Sequence, residues 1–232
     1  MAEPATPDMS TGPDRASERG EQTKRLIVDT AVRLFRDQGY DKTTMRGIAQ
    51  AAGLSVGNAY YYFPSKDHLV QEFYATVQVD AAAACAARLA RPGPFDERLR
   101  VAFGAMVETT APYHAFAGKF IKTAVEPGSP LSPFSTESAP ARERSIGILR
   151  DVVEGSTTKI DPELRADLPE LLWLCQMGIT LYWVHDTSPG QEKTALLVDR
   201  AVPLIDRLVS LARMPGLRSL NREALKLYRM LR

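Results

Sequence analysis

Nothing in this 232-residue sequence approaches the run of about 20 apolar residues that a membrane-crossing helix needs, so no membrane partner is expected. Cysteine is nearly absent: Cys85 and Cys175 lie far apart, in apolar or Ala-rich helical surroundings, and read as buried free thiols of a cytoplasmic protein. Only three histidines occur, His68, His114 and His185, and no two of them have metal-ligand spacing. A glycine-rich phosphate loop and a nucleophile with an adjacent base are also missing. These absences argue against an enzyme, and no metal or cofactor is expected. Charge of one sign is lacking as well, because 29 Lys and Arg stand against 28 Asp and Glu. No segment of consequence alternates with period two, which removes sheet architectures and leaves an all-α fold.

What is present is helical periodicity. Residues 1–20 mix Pro, Ser, Thr, Gly and both charge signs and read as a disordered arm. From about Gln22 to Gln38, Ile27, Ala31, Leu34 and Phe35 recur on one face, and Gly39 supplies the stop. A second helix starts at Thr43 or Thr44, carries Met45, Ile48, Ala49 and Ala52, and ends at Gly53. A third is capped by Ser55 and stopped by Pro64. A long helix then begins at Lys66 and reaches the Pro92-Gly93-Pro94 breaker. Further helices are expected over 95–111, 113–125, 139–155, 162–185 with a break near Pro169, and 190–213 with a kink at Pro203.

Local charge is more telling than the total. Residues 1–70 hold nine cations and nine acids, yet Lys42 to Lys66 contains Lys42, Arg46 and Lys66 and no acid. An anionic backbone can approach that window without repulsion. Within it, Ala49-x-x-x-Gly53 has the spacing of a helix-turn-helix: a small residue for close helix approach, then a glycine for the turn. The helix that follows, Ser55-Val56-Gly57-Asn58-Ala59-Tyr60-Tyr61-Tyr62-Phe63, is too polar and aromatic on one side to be plain core. Three adjacent tyrosines span about 200 degrees of arc, so at least one must turn inward, and Tyr60 is the expected one.

The stretch from Ala31 to Leu69 resembles the N-terminal domain of TetR-family regulators. The residues that carry the likeness run Leu34-Phe35, Gly39-Tyr40, Thr43-Thr44, Ile48-Ala49, Ala52-Gly53-Leu54, Ser55-x-Gly57, Tyr60-x-Tyr62-Phe63 and Ser65-Lys66. The resemblance implies a helix at 44–52 that supports and a helix at 55–62 that enters the major groove of double-stranded DNA. Position by position it implies phosphate binding at Thr44 and the free N–H groups after it, and a phosphate or base-edge contact from Arg46. Ser55, Val56, Gly57 and Asn58 open the reading helix, where Gly57 permits close backbone approach and Asn58 suits adenine. Tyr61 is the expected aromatic reader, Tyr60 and Tyr62 phosphate contacts through their hydroxyls, and Lys66 a point charge for another phosphate.

Four segments are expected: the arm 1–20, the DNA-binding domain 21–66, a helical ligand-binding and dimerisation domain 67–215, and a basic amphipathic helix 216–232. A reader of this size covers one half-site, so a homodimer on a palindromic operator is expected. The resemblance places the dimer interface on the last two long helices. There Leu171, Leu172, Cys175, Ile179, Tyr182, Val198, Val202, Ile205, Leu208 and Leu211 exceed one buried stripe. It also implies a small-molecule effector in a cavity, for which Phe103, Met106, Phe116, Phe120, Trp173 and Met177 offer an apolar lining and His114 a polar contact. The function so implied is a ligand-released repressor; the alternative is a constitutive architectural or activating DNA-binding protein without an effector. The last helix suits docking on the partner subunit, extra phosphate contact, or a membrane surface.

Overall fold

The computed structural model describes residues 13–126 and 128–231. Among them the regular structure is helical: α1 (Pro13–Gln38), α2 (Met45–Ala51), α3 (Val56–Tyr62), α4 (Lys66–Leu89), α5 (Phe95–Thr110), α6 (His114–Val125), α7 (Ala139–Glu154), α8 (Pro162–His185), α9 (Glu192–Leu211) and α10 (Arg218–Leu231). The single pairing of extended backbone among the described residues joins Gly93 to Ser156. The chain divides into two compact units, the first closing at Leu69 and the second starting at Val70.

In the first unit, α1 starts at Pro13, nine residues ahead of the expected Gln22, so the latter part of the expected arm is helix; residues 1–12 lie outside the described residues. Ile27, Ala31 and Phe35 of α1 are buried with Met45, Ile48 and Ala49 of α2, Ala59 of α3 and Phe63 just after it. The helices end where their glycines take positive φ, Gly39 at 90° and Gly53 at 70°, a conformation that costs a residue with a Cβ. The first turn of α4 belongs to this unit because Tyr40 holds it: the Tyr40 hydroxyl donates to Asp67, and Lys66 Nζ donates to the Tyr40 carbonyl at 2.8 Å. The two units divide after Leu69, three residues beyond the expected 66/67 boundary.

The second unit packs α7 against α8 and α5 against α9. Its core includes Phe95, Leu99 and Phe103 of α5, Leu149 and Val152 of α7, Leu172 of α8 and Val202 of α9. Asp161 caps α8, accepting from the N–H groups of Glu163 (3.0 Å) and Leu164 (3.3 Å), with Pro162 at the first helical position. The expected break at Pro169 does not occur; α8 runs unbroken to His185, and the proline is buried. A proline removes one ladder bond, and burial of both helix halves holds the axis together despite that loss. Likewise α9 continues through Pro203.

Cys175 corrects an expectation. It is exposed, on the outward side of α8, whereas Cys85 is buried as expected, and burial pushes the Cys85 thiol above its ordinary pKa. Helix α10 lies on α8, with Leu225 buried and Arg229 donating to Asp167 through Nε (2.8 Å) and Nη2 (2.6 Å).

Candidate nucleic-acid interface and ligand cavity

In the first unit two short helices present their N-terminal ends through matching caps. Thr44 Oγ1 accepts from the Gly47 N–H and Ser55 Oγ from the Asn58 N–H, each at 3.1 Å. Thr44, not Thr43, is therefore the cap of α2; Thr43 is buried, taking a bond from Gln38 Nε2 at 3.1 Å. Each cap satisfies one of the donors that a helix start leaves open and aims the remaining N–H groups outward. Thr44, Arg46, Ser55, Val56, Gly57 and Asn58 are all exposed, and nothing lies within 4 Å of where a Cβ on Gly57 would stand. Gly57 is thus free of intramolecular crowding, and its small size matters only for what approaches from outside.

The tyrosines divide differently from expectation. Ala59 and Phe63 face the core, one turn apart. Tyr62 stands about 60 degrees from Ala59 and is half-buried, while Tyr60 stands about 100 degrees away on the other side and is 50% exposed. Tyr62, not Tyr60, is the ring that turns inward. Tyr61 points opposite the core and is 81% exposed, with its edge against the Tyr62 ring at 5.1 Å between centroids. An aromatic side chain that large is held in water at a cost that intramolecular packing does not repay.

Lys66 is also placed differently. Its ammonium lies 4.2 Å from the centre of the Tyr40 ring as well as on the Tyr40 carbonyl, and it is half-buried, which lowers its pKa. It serves the joint between α4 and the loop after α1 rather than standing free. Arg46 and Lys42 are the exposed cations of the acid-free window.

The second unit contains a cavity of about 180 Å³ between α4, α5, α6, α7 and α8. Met106, Phe116, Phe120, Trp173 and Met177 line it, as do Phe73, Tyr74, Val77 and Trp183, which the sequence did not single out for the lining. Phe103 lines a small adjoining void instead. His114 stands behind the wall: its Nε2 contacts the Trp183 carbonyl at 2.8 Å and its ring packs edge-on to the indole at 5.0 Å. Most polar groups at the lining are internally satisfied. Tyr74 donates to the Leu131 carbonyl (3.1 Å), Gln176 to Ser145 (3.1 Å) and Thr110 to the Met106 carbonyl (2.8 Å). Burial pushes the Tyr74 phenol well above its usual range. Two atoms are not satisfied: the indole N–H of Trp183 and the amide oxygen of Gln78 are buried without a hydrogen-bond partner. Arg142 is the only charged side chain at the lining among the described residues.

A capped pair of short helices with an exposed aromatic face, followed by a larger helical unit around an apolar cavity, meets two family descriptions. Residues 27–73 match the bacterial regulatory proteins of the tetR family, and residues 98–227 match the tetracyclin repressor-like C-terminal domain. The chain belongs to the TetR family. It is a TetR-family transcriptional regulator, and its relatives are regulators rather than enzymes. A probable HTH-type transcriptional regulator of Bacillus subtilis, YttP, is 43% identical over 56 residues, covering 22% of this chain and 27% of that protein. The HTH-type transcriptional repressor KstR2 of Rhodococcus jostii is 39% identical over 59 residues, 25% of this chain and 28% of that one. The likeness to these curated relatives therefore spans under a third of their length. A TetR transcriptional regulator from Nitrosomonas europaea shares the fold along 79% of this chain and 97% of its own, with a TM-score of 0.62 at 17% identity. No helix among the described residues is long and apolar enough to cross a membrane.

Proposed function

We propose that this TetR-family protein is a cytoplasmic repressor that binds a palindromic operator as a homodimer and leaves it when a small molecule with an apolar body fills the cavity of the second unit. The observation that carries the DNA-reading half is the outward face of α3. Val56, Gly57, Asn58, Tyr60 and Tyr61 are exposed together on a helix flanked by Arg46 and the Thr44 cap, with no acid between Lys42 and Lys66. On this reading Asn58 and Tyr61 meet base edges. Thr44, Arg46, Ser55, Tyr60 and Tyr62 meet phosphates, and Lys66 contributes through the position of α4. Repression as the output is supported by the likeness to the R. jostii repressor.

The dimer is supported by the second apolar face of α8 and α9. Leu172, Ile179, Val198 and Val202 are buried within the unit, while Leu174, Leu181, Tyr182, Leu204, Leu208 and Leu211 remain exposed. So many large exposed apolar side chains on two neighbouring helices mark an association surface. Release by ligand is supported by α4, a single helix whose start is held by Tyr40 and whose Phe73, Tyr74, Val77 and Gln78 line the cavity. A ligand that prefers one placement of α4 biases DNA affinity by that preference and no more.

The test is a titration of the purified protein against fragments from upstream of its own gene, at two salt concentrations. Saturable binding to a palindrome with two protomers per site is expected. Weak, sequence-indifferent binding that no small molecule alters would instead favour a constitutive architectural protein.

A further inference from the structure

The cavity has an uneven chemistry that says more than "apolar". Its one charged side chain, Arg142, is half-buried at the start of α7. Nη1 donates to the carbonyls of Pro133 (2.8 Å) and Ser135 (3.0 Å), which fixes the guanidinium, and the group lies 5.9 Å from the centre of the Trp173 ring. Among the described residues no carboxylate forms an ion pair with it. A guanidinium carries five N–H donors, and two carbonyls leave its other edge open. A cation partly withdrawn from water and left without an anion is costly, and an arriving anion recovers that cost. Because no second cation lines the cavity, a singly charged group is matched and a doubly charged one is not.

At the other end stands Trp183, 4% exposed, its indole N–H without an acceptor. It lies ten residues beyond Trp173 on α8, a rise of about 15 Å along the helix at 1.5 Å per residue, so the two indoles line the cavity at different levels. An indole donates and never accepts, and it calls for a neutral oxygen there. A dry cavity of roughly 150 Å³ holds a benzene ring, so about 180 Å³ takes a slender body of roughly six to ten carbons.

We infer that the cavity binds an elongated monocarboxylate with an apolar body of about six to ten carbons, its carboxylate on Arg142 and a neutral oxygen at its far end on the Trp183 indole N–H. This rests on the reading of the cavity as the effector site and narrows it to one ligand class.

Both tryptophans of the sequence, Trp173 and Trp183, line the cavity, so intrinsic fluorescence reports occupancy without DNA. The probes are octanoate, octan-1-ol, octylamine and 8-hydroxyoctanoate, titrated into the full chain at neutral pH. Octanoate is expected to bind at least about tenfold tighter than octanol, in line with a charge-assisted hydrogen bond, and octylamine weakest. Arg142→Gln should abolish the preference for octanoate while leaving octanol unchanged. Arg142→Lys, which keeps the charge if the glutamine variant folds poorly, should retain part of it. 8-Hydroxyoctanoate should bind several-fold tighter than octanoate, and Trp183→Phe should erase that gain with Trp173 still reporting. Equal affinity for octanoate and octanol, or a preference that survives Arg142→Gln, overturns the carboxylate assignment. Absence of any gain from the terminal hydroxyl overturns the Trp183 anchor. A carboxylate that binds but does not release DNA would sink the effector reading and leave the ligand class standing. No carboxylate binding, with operator binding intact, would do the reverse.

Discussion

The guanidinium of Arg98 occupies the space where a side chain on Gly155 would begin: a Cβ there would overlap Nη2 and Cζ. Arg98 is 4% exposed, and its donors go to backbone carbonyls, Nε to Val152 (3.1 Å), Nη2 to Asp151 (2.6 Å) and Nη1 to Arg91. It ties the last turn of α7 to the chain just after α4, at a helix end whose dipole favours a cation; the Asp151 carbonyl also accepts from the Gly155 N–H at 3.0 Å. Only glycine leaves room for it. Gly155→Ala should destabilise the protein by about 1–3 kcal/mol through overpacking. Arg98→Met should cost about 1–3 kcal/mol, since it leaves the buried Val152 carbonyl without its donor. Urea unfolding with an unchanged slope would measure both, and a neutral Gly155→Ala would show that the guanidinium has another place to go.

On α3, exposure separates stability from recognition. Tyr61→Ala removes a ring that is 81% exposed and should change stability by less than about 0.5 kcal/mol. Its operator affinity should fall by roughly 1–3 kcal/mol with little change on random DNA. Tyr62→Ala, at the inward-turned position, should lower the melting temperature as well. Equal melting curves for the two variants would contradict the orientation of α3.

Arg46 and Lys66 are both cations of the acid-free window, but the structure gives them different work. Arg46→Ala should weaken binding to all sequences alike and reduce the salt slope by about 1, with folding unaffected. Lys66→Met removes the bond to the Tyr40 carbonyl, so thermal stability should fall alongside DNA affinity. A Lys66→Met protein as stable as wild type, with only the salt slope reduced, would show that the ammonium leaves Tyr40 to meet phosphate.

Asp186 staples the turn between α8 and α9. Burial pushes its pKa up, but hydrogen bonds from the N–H and hydroxyl of Ser188 and of Thr194 outweigh that and hold the carboxyl well below its ordinary range. A carboxylate depressed in this way contributes stability that is complete above its unfolded pKa of about 3.9 and is lost as pH falls through the folded value. Wild-type melting temperature should therefore decline from about pH 5 downward. Asp186→Asn should be less stable at pH 7 and show a shallower acid decline; parallel pH curves for the two proteins would count against this carboxylate.

Helix α10 touches its own α8 through Leu225 and Arg229, and leaves Leu220, Leu227 and Met230 exposed. If that outer edge joins the association surface of α8 and α9, Leu220→Ser/Leu227→Ser/Met230→Ser, which spares Leu225 and Arg229, should raise the dimer dissociation constant at least tenfold by sedimentation while the melting temperature at high concentration changes little. Unchanged dissociation would assign the exposed leucines elsewhere.

Several of these features were open to the sequence alone, because they depend on neighbours within a turn or two. Helical periodicity, the hydroxyl cap at Ser55, glycine stops at Gly39 and Gly53, and the ordered motif from Leu34 to Lys66 identify an all-α TetR-family protein and mark the face of α3 as its reader. The choice between Thr43 and Thr44 was not open to it. Both are hydroxyls at a helix start, and the bonds that draw Thr43 inward, from Gln38 and to the Gly39 carbonyl, decide between them.

What the tertiary structure decided follows the same division. Which tyrosine turns inward depends on where Ala59 and Phe63 meet the core, and Lys66 is captured because the Tyr40 carbonyl, 26 residues earlier, comes within reach. Pro169 breaks nothing, since packing on both sides of it outweighs one lost ladder bond. Cys175 faces outward although its neighbours in sequence are apolar, because α8 carries one apolar stripe for its own core and another that faces out. The cavity's chemistry is the clearest case. Gln78, Arg142 and Trp183 are unremarkable residues on three separate helices, and the orphaned polar groups and lone charge arise only once those helices enclose a common space. Periodicity along a chain determines which face a residue occupies; whether a polar atom on that face finds a partner depends on helices distant in sequence.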